Sequence, residues 1–316
     1  MRSLLLLIPF MPRLQGLQPQ PQPLRLHATT PSARFHHHRS LRSSSSSTNA
    51  DLPEPFPDLV VFDLDMCAWS PEMYLLDEVP AAGKSEIRGR LYPDDEDPTF
   101  AAMEGVVGAK SGYETIRLFP QTRRVLRDYW NDEYPPNLRL AAASSADTPL
   151  AVRIGRGAMT LLEVLPGVTV EDCFRKGWEA SSSSSSSSSE QEGGGGAGAG
   201  GGGGGAAWGE ENLQVGRTLP LSSDKSKTHF PILKEKCGVP FHRMLFFDDS
   251  VWSDHCRIVS SKCKERVVVG GGVDVGEWGV VAQKTPNGLT ASEWAAGLNK
   301  YAQQAAAIAE KAAEAQ

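Results

Sequence analysis

The sequence predicts an α/β fold in which a doubly wound parallel sheet carries helices on both faces. Two short apolar runs, Leu59–Phe62 and Met244–Phe247, are typical of strands buried on both faces of a sheet. Each run leads into paired acids, Asp63 and Asp65 in the first case and Asp248 and Asp249 in the second. Strand-like and helical segments alternate along the chain, and this alternation favours parallel strands.

Five helices are predicted from apolar spacing and from residues that start or stop helices. Pro120 suits a first turn, and Gly238 can close a helix that ends at Cys237. Gly155 and Gly157 weaken the middle of another helix, and the tail is rich in Ala, Glu and Lys. The predicted helices are Pro120–Trp130, Thr148–Leu165, Thr228–Cys237, Val251–Ser260 and Thr290–Gln316.

Three further strands are predicted from short apolar runs. The segment from Glu72 to Glu114 mixes charged residues, Pro and Gly, with little periodicity, so we interpret it as an irregular flap over the strand ends. The predicted strands are Leu138–Ala143, Val168–Phe174 and Arg266–Val269.

Two stretches have compositions that do not build a packed core. Residues 1–50 contain no Asp or Glu and are rich in Arg and Ser, which is typical of an organelle transit peptide. The short apolar run Leu4–Ile8 leaves a secretory signal as an alternative. Ser181–Ser189 and the Gly-rich Gly193–Gly205 predict a flexible insert. We therefore expect a targeting peptide at 1–50, one domain at 51–290 with an insert at about 180–217, and a C-terminal helix at 291–316.

Composition restricts the partners and the location of the protein. The formal net charge is -6 although the leader is basic, so a nucleic-acid partner is not expected. No apolar run after the leader is long enough to cross a bilayer. The five cysteines include no C-x-x-C pair, which disfavours a zinc site. We expect a monomer in a plastid or mitochondrion, or in the cytoplasm if the leader is not used.

The two acidic pairs predict a metal site. Ligands of open α/β sheets bind at the carboxyl ends of the strands, where both pairs would converge. Repulsion between neighbouring carboxylates is relieved by a divalent cation, and oxygen ligands suit Mg²⁺. The alternative is two unrelated acidic turns.

Several motifs together carry a family resemblance. They are Val61-Phe62-Asp63-Leu64-Asp65 with Trp69, Ala141-Ala142-Ala143-Ser144, His229-Phe230, Gly238-Val239-Pro240-Phe241 and Phe246-Phe247-Asp248-Asp249. In this order they resemble the eukaryotic magnesium-dependent, acid phosphatase-like group of the haloacid dehalogenase superfamily, over roughly residues 57 to 285. That resemblance implies a Rossmann-like sheet with a minimal flap in place of a large cap domain.

The resemblance also implies a mechanism. Asp63 matches the nucleophile that forms an aspartyl-phosphate, and Asp65 matches the general acid and base. Mg²⁺ would be held by Asp63, the backbone carbonyl of Asp65 and Asp249, with Asp248 close by or reaching it through water. The expected substrate is a phosphorylated small molecule or a phosphoprotein, with phosphotyrosyl proteins and sugar phosphates as candidates.

The resemblance further assigns phosphate-binding residues and a lysine. Ser144 matches a residue that hydrogen-bonds a phosphoryl oxygen, and Leu64 and Ser145 are neighbouring candidates, although Ser145 also suits a turn. The family places a lysine shortly before the His-Phe pair. Lys227 is the first choice and Lys225 the second, because the two bracket the expected spacing.

Other functions compete with an active phosphatase. Cys67 stands where the family usually has Thr, and this departure together with the lysine spacing motivates a catalytically weak phosphoprotein-binding module. A receiver-type signalling domain would carry its acids in the opposite order. A mutase usually needs a closing cap to exclude water, and the sequence shows no clear one.

Overall fold

The computed structural model describes residues 55–178, 212–217, 220–251 and 253–315. The predicted targeting peptide and most of the predicted insert lie outside these residues. In the described part, no helix is long and apolar enough to span a bilayer. The strands are β1 Leu59–Phe62, β2 Trp69–Ser70, β3 Glu86–Arg90, β4 Glu104–Ser111, β5 Glu114–Leu118, β6 Arg139–Ser144, β7 Glu163–Leu165, β8 Val168–Thr169, β9 Leu213–Val215, β10 Met244–Asp248, β11 Lys264–Val269, β12 Val273–Gly279 and β13 Val281–Lys284.

The helices flank these strands. Helix α2 starts with Pro120 in its first turn, helix α5 ends at Gly238 in the left-handed conformation, and Thr290 and Glu293 form a capping box at the start of α7. Their bounds are α1 Pro98–Ala101, α2 Pro120–Trp130, α3 Pro149–Leu161, α4 Val170–Arg175, α5 His229–Cys237, α6 His255–Lys262 and α7 Ala291–Glu314.

A parallel sheet of five strands forms the centre of the fold, in the order β13-β10-β1-β6-β9. Because side chains alternate along a strand, Val60 and Phe62 of β1 enter one apolar core and Leu59 and Val61 enter the other. The first core also contains Trp294 of α7 and the buried faces of α2 and α3. The second contains Phe230 of α5 and Val259 of α6. This confirms the predicted fold class, a Rossmann-like sheet consistent with the haloacid dehalogenase fold.

The flap is ordered, which corrects the prediction of an irregular segment. Strands β2, β5, β4 and β3 form an antiparallel sheet in that order, and a turn at Gly112 joins β4 to β5. Trp69 in β2 is fully buried and pairs with Leu118 of β5. The flap is therefore anchored to the segment that directly follows Asp65.

Several predicted elements differ from the structure. The predicted strand Val168–Phe174 is a two-residue strand followed by α4, because Thr169 and Asp172 cap a helix there. Helix α3 stops at Leu161, and β7 follows it. The helix predicted at Val251–Ser260 begins only at His255, where Asp254 caps it. Strand β11 pairs with β12 in an antiparallel ribbon outside the central sheet. Within the stretch assigned to the insert, Leu213–Val215 forms β9, the edge strand beside β6.

Candidate active site

The predicted acids converge where the strand order of the central sheet reverses. The chain passes from β1 to β6 on one side and later returns to β10 on the other, so the carboxyl ends of β1 and β10 flank a crevice. The backbone N–H of Asp63 donates to the carbonyl of Phe247 at 2.8 Å, which fixes the end of β1 against β10. Asp63 and Asp248 are both buried at this edge.

A buried lysine connects these two carboxylates. Lys225 Nζ lies 3.0 Å from Asp63 Oδ1 and 2.6 Å from Asp248 Oδ2, and its side chain is 1% exposed. Burial alone would lower the pKa of Lys225, but Asp248 and Asp63 outweigh it and raise that pKa above its usual value. Burial raises the pKa of Asp63, and Lys225 opposes this rise.

This geometry corrects the prediction that Lys227 is the lysine of the acidic site. Lys227 is 71% exposed and lies near Asp224 on the surface, so it does not reach the acids. The loop before α5 turns Lys225 inward, and the Lys225 carbonyl accepts a hydrogen bond from Phe230 N–H. Spacing to the His-Phe pair could not determine which lysine the loop turns inward.

Asp248 and Asp249 have different surroundings. Asp248 Oδ1 accepts hydrogen bonds from the N–H and hydroxyl of Ser250, and Oδ2 faces Lys225 and His255. Burial opposes ionisation, yet Lys225 and His255 hold the pKa of Asp248 below its ordinary value. Burial raises the pKa of Asp249 to about 7, with added repulsion from Asp63 and Asp248. A cation beside Asp249 would favour its charged form.

The acids could hold a metal ion. Ligand oxygens of Asp63, Asp248 and Asp249 all lie within 4.8 Å of one another. Because the chain's own donors engage both oxygens of Asp248, Asp63 and Asp249 are better placed to give oxygens to a metal. Among the described residues this set consists of carboxylate oxygens alone, which fits a hard cation such as Mg²⁺.

Asp65 is held by the start of the flap. Its Oδ1 accepts a hydrogen bond from Trp69 Nε1 and its Oδ2 accepts one from Met73 N–H, both at 3.0 Å. Burial, followed by repulsion from Asp63, raises the pKa of Asp65 to about 7, although the two hydrogen bonds act in the opposite direction. A carboxyl group with this pKa can both donate and accept a proton near neutral pH.

The predicted phosphate ligands line or adjoin the same crevice. Ser144 ends β6 and is 2% exposed, and Ser145 follows it with a buried hydroxyl that has no hydrogen-bond partner in the part of the chain that the structure describes. Leu64 N–H donates to Asp63 Oδ1 at 2.9 Å and so orients that carboxylate. His229 lies behind Ser144, where its Nε2 donates to the Ser144 carbonyl at 3.2 Å. Burial, followed by Lys225, lowers the pKa of His229 to about 4.

A pocket of about 290 Å³ opens onto these groups. It adds residues that the sequence did not single out for this site. Tyr74 and Glu72 come from the flap, Asp147 follows β6, and Arg217 follows β9. His255 starts α6 and lies 3.4 Å from Asp248. Position after a strand of the central sheet is the one signal that could have identified Arg217 and Asp147, provided that β9 had been recognised.

Part of the chain is similar to a known protein family. A family model described as acid phosphatase matches residues 55–191, which include Asp63, Asp65 and Ser144. No curated protein matches the chain at a significant level. The match spans less than half of the chain and supports a phosphatase.

Proposed function

We propose that the chain is a Mg²⁺-dependent phosphatase that hydrolyses phosphate monoesters through an aspartyl-phosphate on Asp63. The observation that carries this proposal is the buried contact of Lys225 with Asp63 and Asp248 at the carboxyl ends of β1 and β10. A buried lysine between two acids orients the nucleophile and offsets negative charge where a phosphate would bind.

Magnesium would be held by Asp63 and Asp249, with the backbone carbonyl of Asp65 as a third ligand. When bound, Mg²⁺ neutralises phosphoryl charge and so permits an anionic nucleophile to approach an anionic substrate. The raised pKa of Asp249 agrees with this assignment, because a cation favours the charged form.

The proposed reaction has two steps. In the first, a carboxylate oxygen of Asp63 forms a bond to phosphorus while the bond to the leaving oxygen breaks, and the proton on Asp65 moves to that oxygen. In the second, Asp65 takes a proton from water, the water oxygen bonds to phosphorus, and the Asp63–phosphorus bond breaks. Lys225 and Leu64 N–H keep the Asp63 carboxylate oriented in both steps.

The narrow flap affects which substrates can reach the site. It is a single sheet of four strands, and Tyr74, which it contributes to the lining of the pocket, is 44% exposed. A phosphate on a protein side chain or on a sugar could reach a site of this kind. We therefore include phosphotyrosyl proteins and sugar phosphates among the candidate substrates.

A phosphoprotein-binding module of the same fold is the second candidate. Cys67, where the family usually has Thr, is fully buried, and its carbonyl accepts a hydrogen bond from Leu289 N–H. The residue therefore fits the core, and the departure does not remove a group from the pocket. This observation favours the enzyme over the module.

Hydrolysis of p-nitrophenyl phosphate by residues 51–316 tests the proposal. We expect turnover with Mg²⁺, none with EDTA, and a loss of about 10⁴-fold or more in Asp63→Asn, because the nucleophile is removed. Asp94→Asn, which changes an exposed acid in the flap, is the matched control and should retain full activity. Mg²⁺ binding without turnover in the unaltered chain would support the binding module instead.

A further inference from the structure

Arg217 is fixed at the edge of the active-site crevice by the central sheet. Val215 is the β9 partner of Ser144, and Gly216 N–H continues the ladder by donating to the Ser144 carbonyl at 2.9 Å. Gly216 has a φ of 129°, a conformation that glycine adopts readily, and the chain changes direction there. Arg217 follows directly and lines the same pocket as Ser144 and Lys225.

The charges of the pocket make this arginine unusual. Five carboxylates line the pocket, whereas Arg217 and Lys225 are its only arginine and lysine among the described residues. Lys225 is engaged by Asp63 and Asp248. Arg217 has no carboxylate partner within 4.0 Å in the described part of the chain, and it is exposed and lines the pocket. It is the guanidinium that remains available to an incoming anion.

We propose that Arg217 binds the phosphoryl group of the substrate, donating from its guanidinium to phosphoryl oxygens that Ser144 also contacts. The proposal rests on the phosphatase function and adds to it a residue on β9, outside the motifs that predicted the site. A planar guanidinium matches two phosphate oxygens at once, and such charge-assisted hydrogen bonds are roughly twice as strong as neutral ones.

The alternative role for Arg217 is to bind an anionic group on the leaving side of the substrate. Two observations favour the phosphoryl group. Arg217 is connected through Gly216 to Ser144, a candidate phosphate ligand. In addition, Glu72 and Asp147 line the pocket beside Tyr74, so this part of the pocket is acidic and disfavours a second anion.

Binding of inorganic phosphate provides a test that does not require turnover. Calorimetric titration in the presence of Mg²⁺ would compare the unaltered protein with Arg217→Gln, Arg217→Lys and the control Arg88→Gln. Arg88 is an exposed flap arginine near Glu86. We expect the dissociation constant for phosphate to rise about 10- to 100-fold in Arg217→Gln, the range for a lost hydrogen bond to a charged group. Arg217→Lys should recover part of the affinity, and Arg88→Gln should bind like the unaltered protein.

Two results would overturn the proposal. One is an unchanged phosphate affinity in Arg217→Gln. If hydrolysis by this variant then slows only for esters whose leaving group carries a carboxylate, Arg217 binds the leaving group. The other is an equal loss of affinity in Arg88→Gln, which would indicate a general effect of surface charge. If the unaltered protein binds phosphate but hydrolyses nothing, the phosphatase proposal fails while the comparison of phosphate affinities still decides the role of Arg217.

Discussion

Replacing Lys225 by methionine should destabilise the metal-free protein strongly. Lys225 is 1% exposed, and its removal leaves Asp63 and Asp248 close together without the cation between them. Removing one partner of a buried ion pair typically costs about 3–5 kcal/mol. The variant could instead protonate one of the two acids. At pH 7, three units above the ordinary pKa of that acid, protonation would cost about 4 kcal/mol, so it would not prevent the loss of stability.

Lys227→Met is the matched control for this prediction. Lys227 is 71% exposed, so its substitution should change the free energy of unfolding by less than about 0.5 kcal/mol. Urea unfolding at pH 7 in EDTA, followed by far-ultraviolet circular dichroism, gives both values. Equal stabilities of the two variants would refute the reasoning, because they would show that the acids do not depend on Lys225 for compensation.

Three further predictions concern other parts of the fold. The pKa of His229 is about 4 in the folded protein and near 6.5 when unfolded, so the unfolded state binds the extra proton and stability falls as the pH drops from 6.5 towards 4, by up to about 3 kcal/mol. His229→Gln should remove that part of the pH dependence of the free energy of unfolding, measured with urea. The same change of this free energy with pH in the variant and in the unaltered protein would contradict the prediction. Gly297→Ala should destabilise the protein by about 1 kcal/mol, because the new Cβ would meet the Phe247 ring at 2.7 Å and this overpacking outweighs the gain in helix propensity. The control Gln303→Ala, on the exposed side of the same helix, should not destabilise the protein. Equal melting temperatures of the two variants would contradict this prediction. Deletion of Glu190–Ala206 should leave activity and melting temperature nearly unchanged, and a large loss in either would show that the insert packs on the core.

The central strands were predictable because their residues leave few alternatives. β1 and the first four residues of β10 are continuous apolar runs, and such runs fit a strand that is covered on both faces. The same logic fails at the sheet edges. β9 has three residues and follows a glycine-rich tract, and β13 ends in Gln283 and Lys284, so neither has the length or the polarity pattern of a buried strand.

The flap was not predictable for a related reason. Strand β3 reads Glu-Ile-Arg-Gly-Arg and has no buried residue, so its position depends on pairing with β4 and not on an apolar face.

The ribbon of β11 and β12 was mispredicted for the opposite reason, because its sequence does look apolar. Its Val-Val-Val run suggested a strand of the central sheet, yet Val268 is 60% exposed. An apolar run indicates a strand but does not specify its partner.

The candidate site was predictable only where it belongs to strand ends. Asp63 and Asp65 follow β1, Asp248 ends β10 and Asp249 follows it, and the register of the parallel sheet brings these acids together. The orientation of loop side chains follows no such rule. The side chain of Lys225 points inward and that of Lys227 outward because of the turn before α5, and sequence spacing carries no information about that turn.

Trapping the phosphorylated enzyme tests the central claim most directly. Asp65→Asn should form the aspartyl-phosphate with a good leaving group such as p-nitrophenolate but hydrolyse it slowly, because the base that activates water is missing. Mass spectrometry of this variant after mixing with p-nitrophenyl phosphate and Mg²⁺ should find one phosphoryl group on the peptide that contains Asp63, and none in EDTA. Turnover by the unaltered protein with no phosphoryl group on that peptide, or with the label on another residue, would contradict the account.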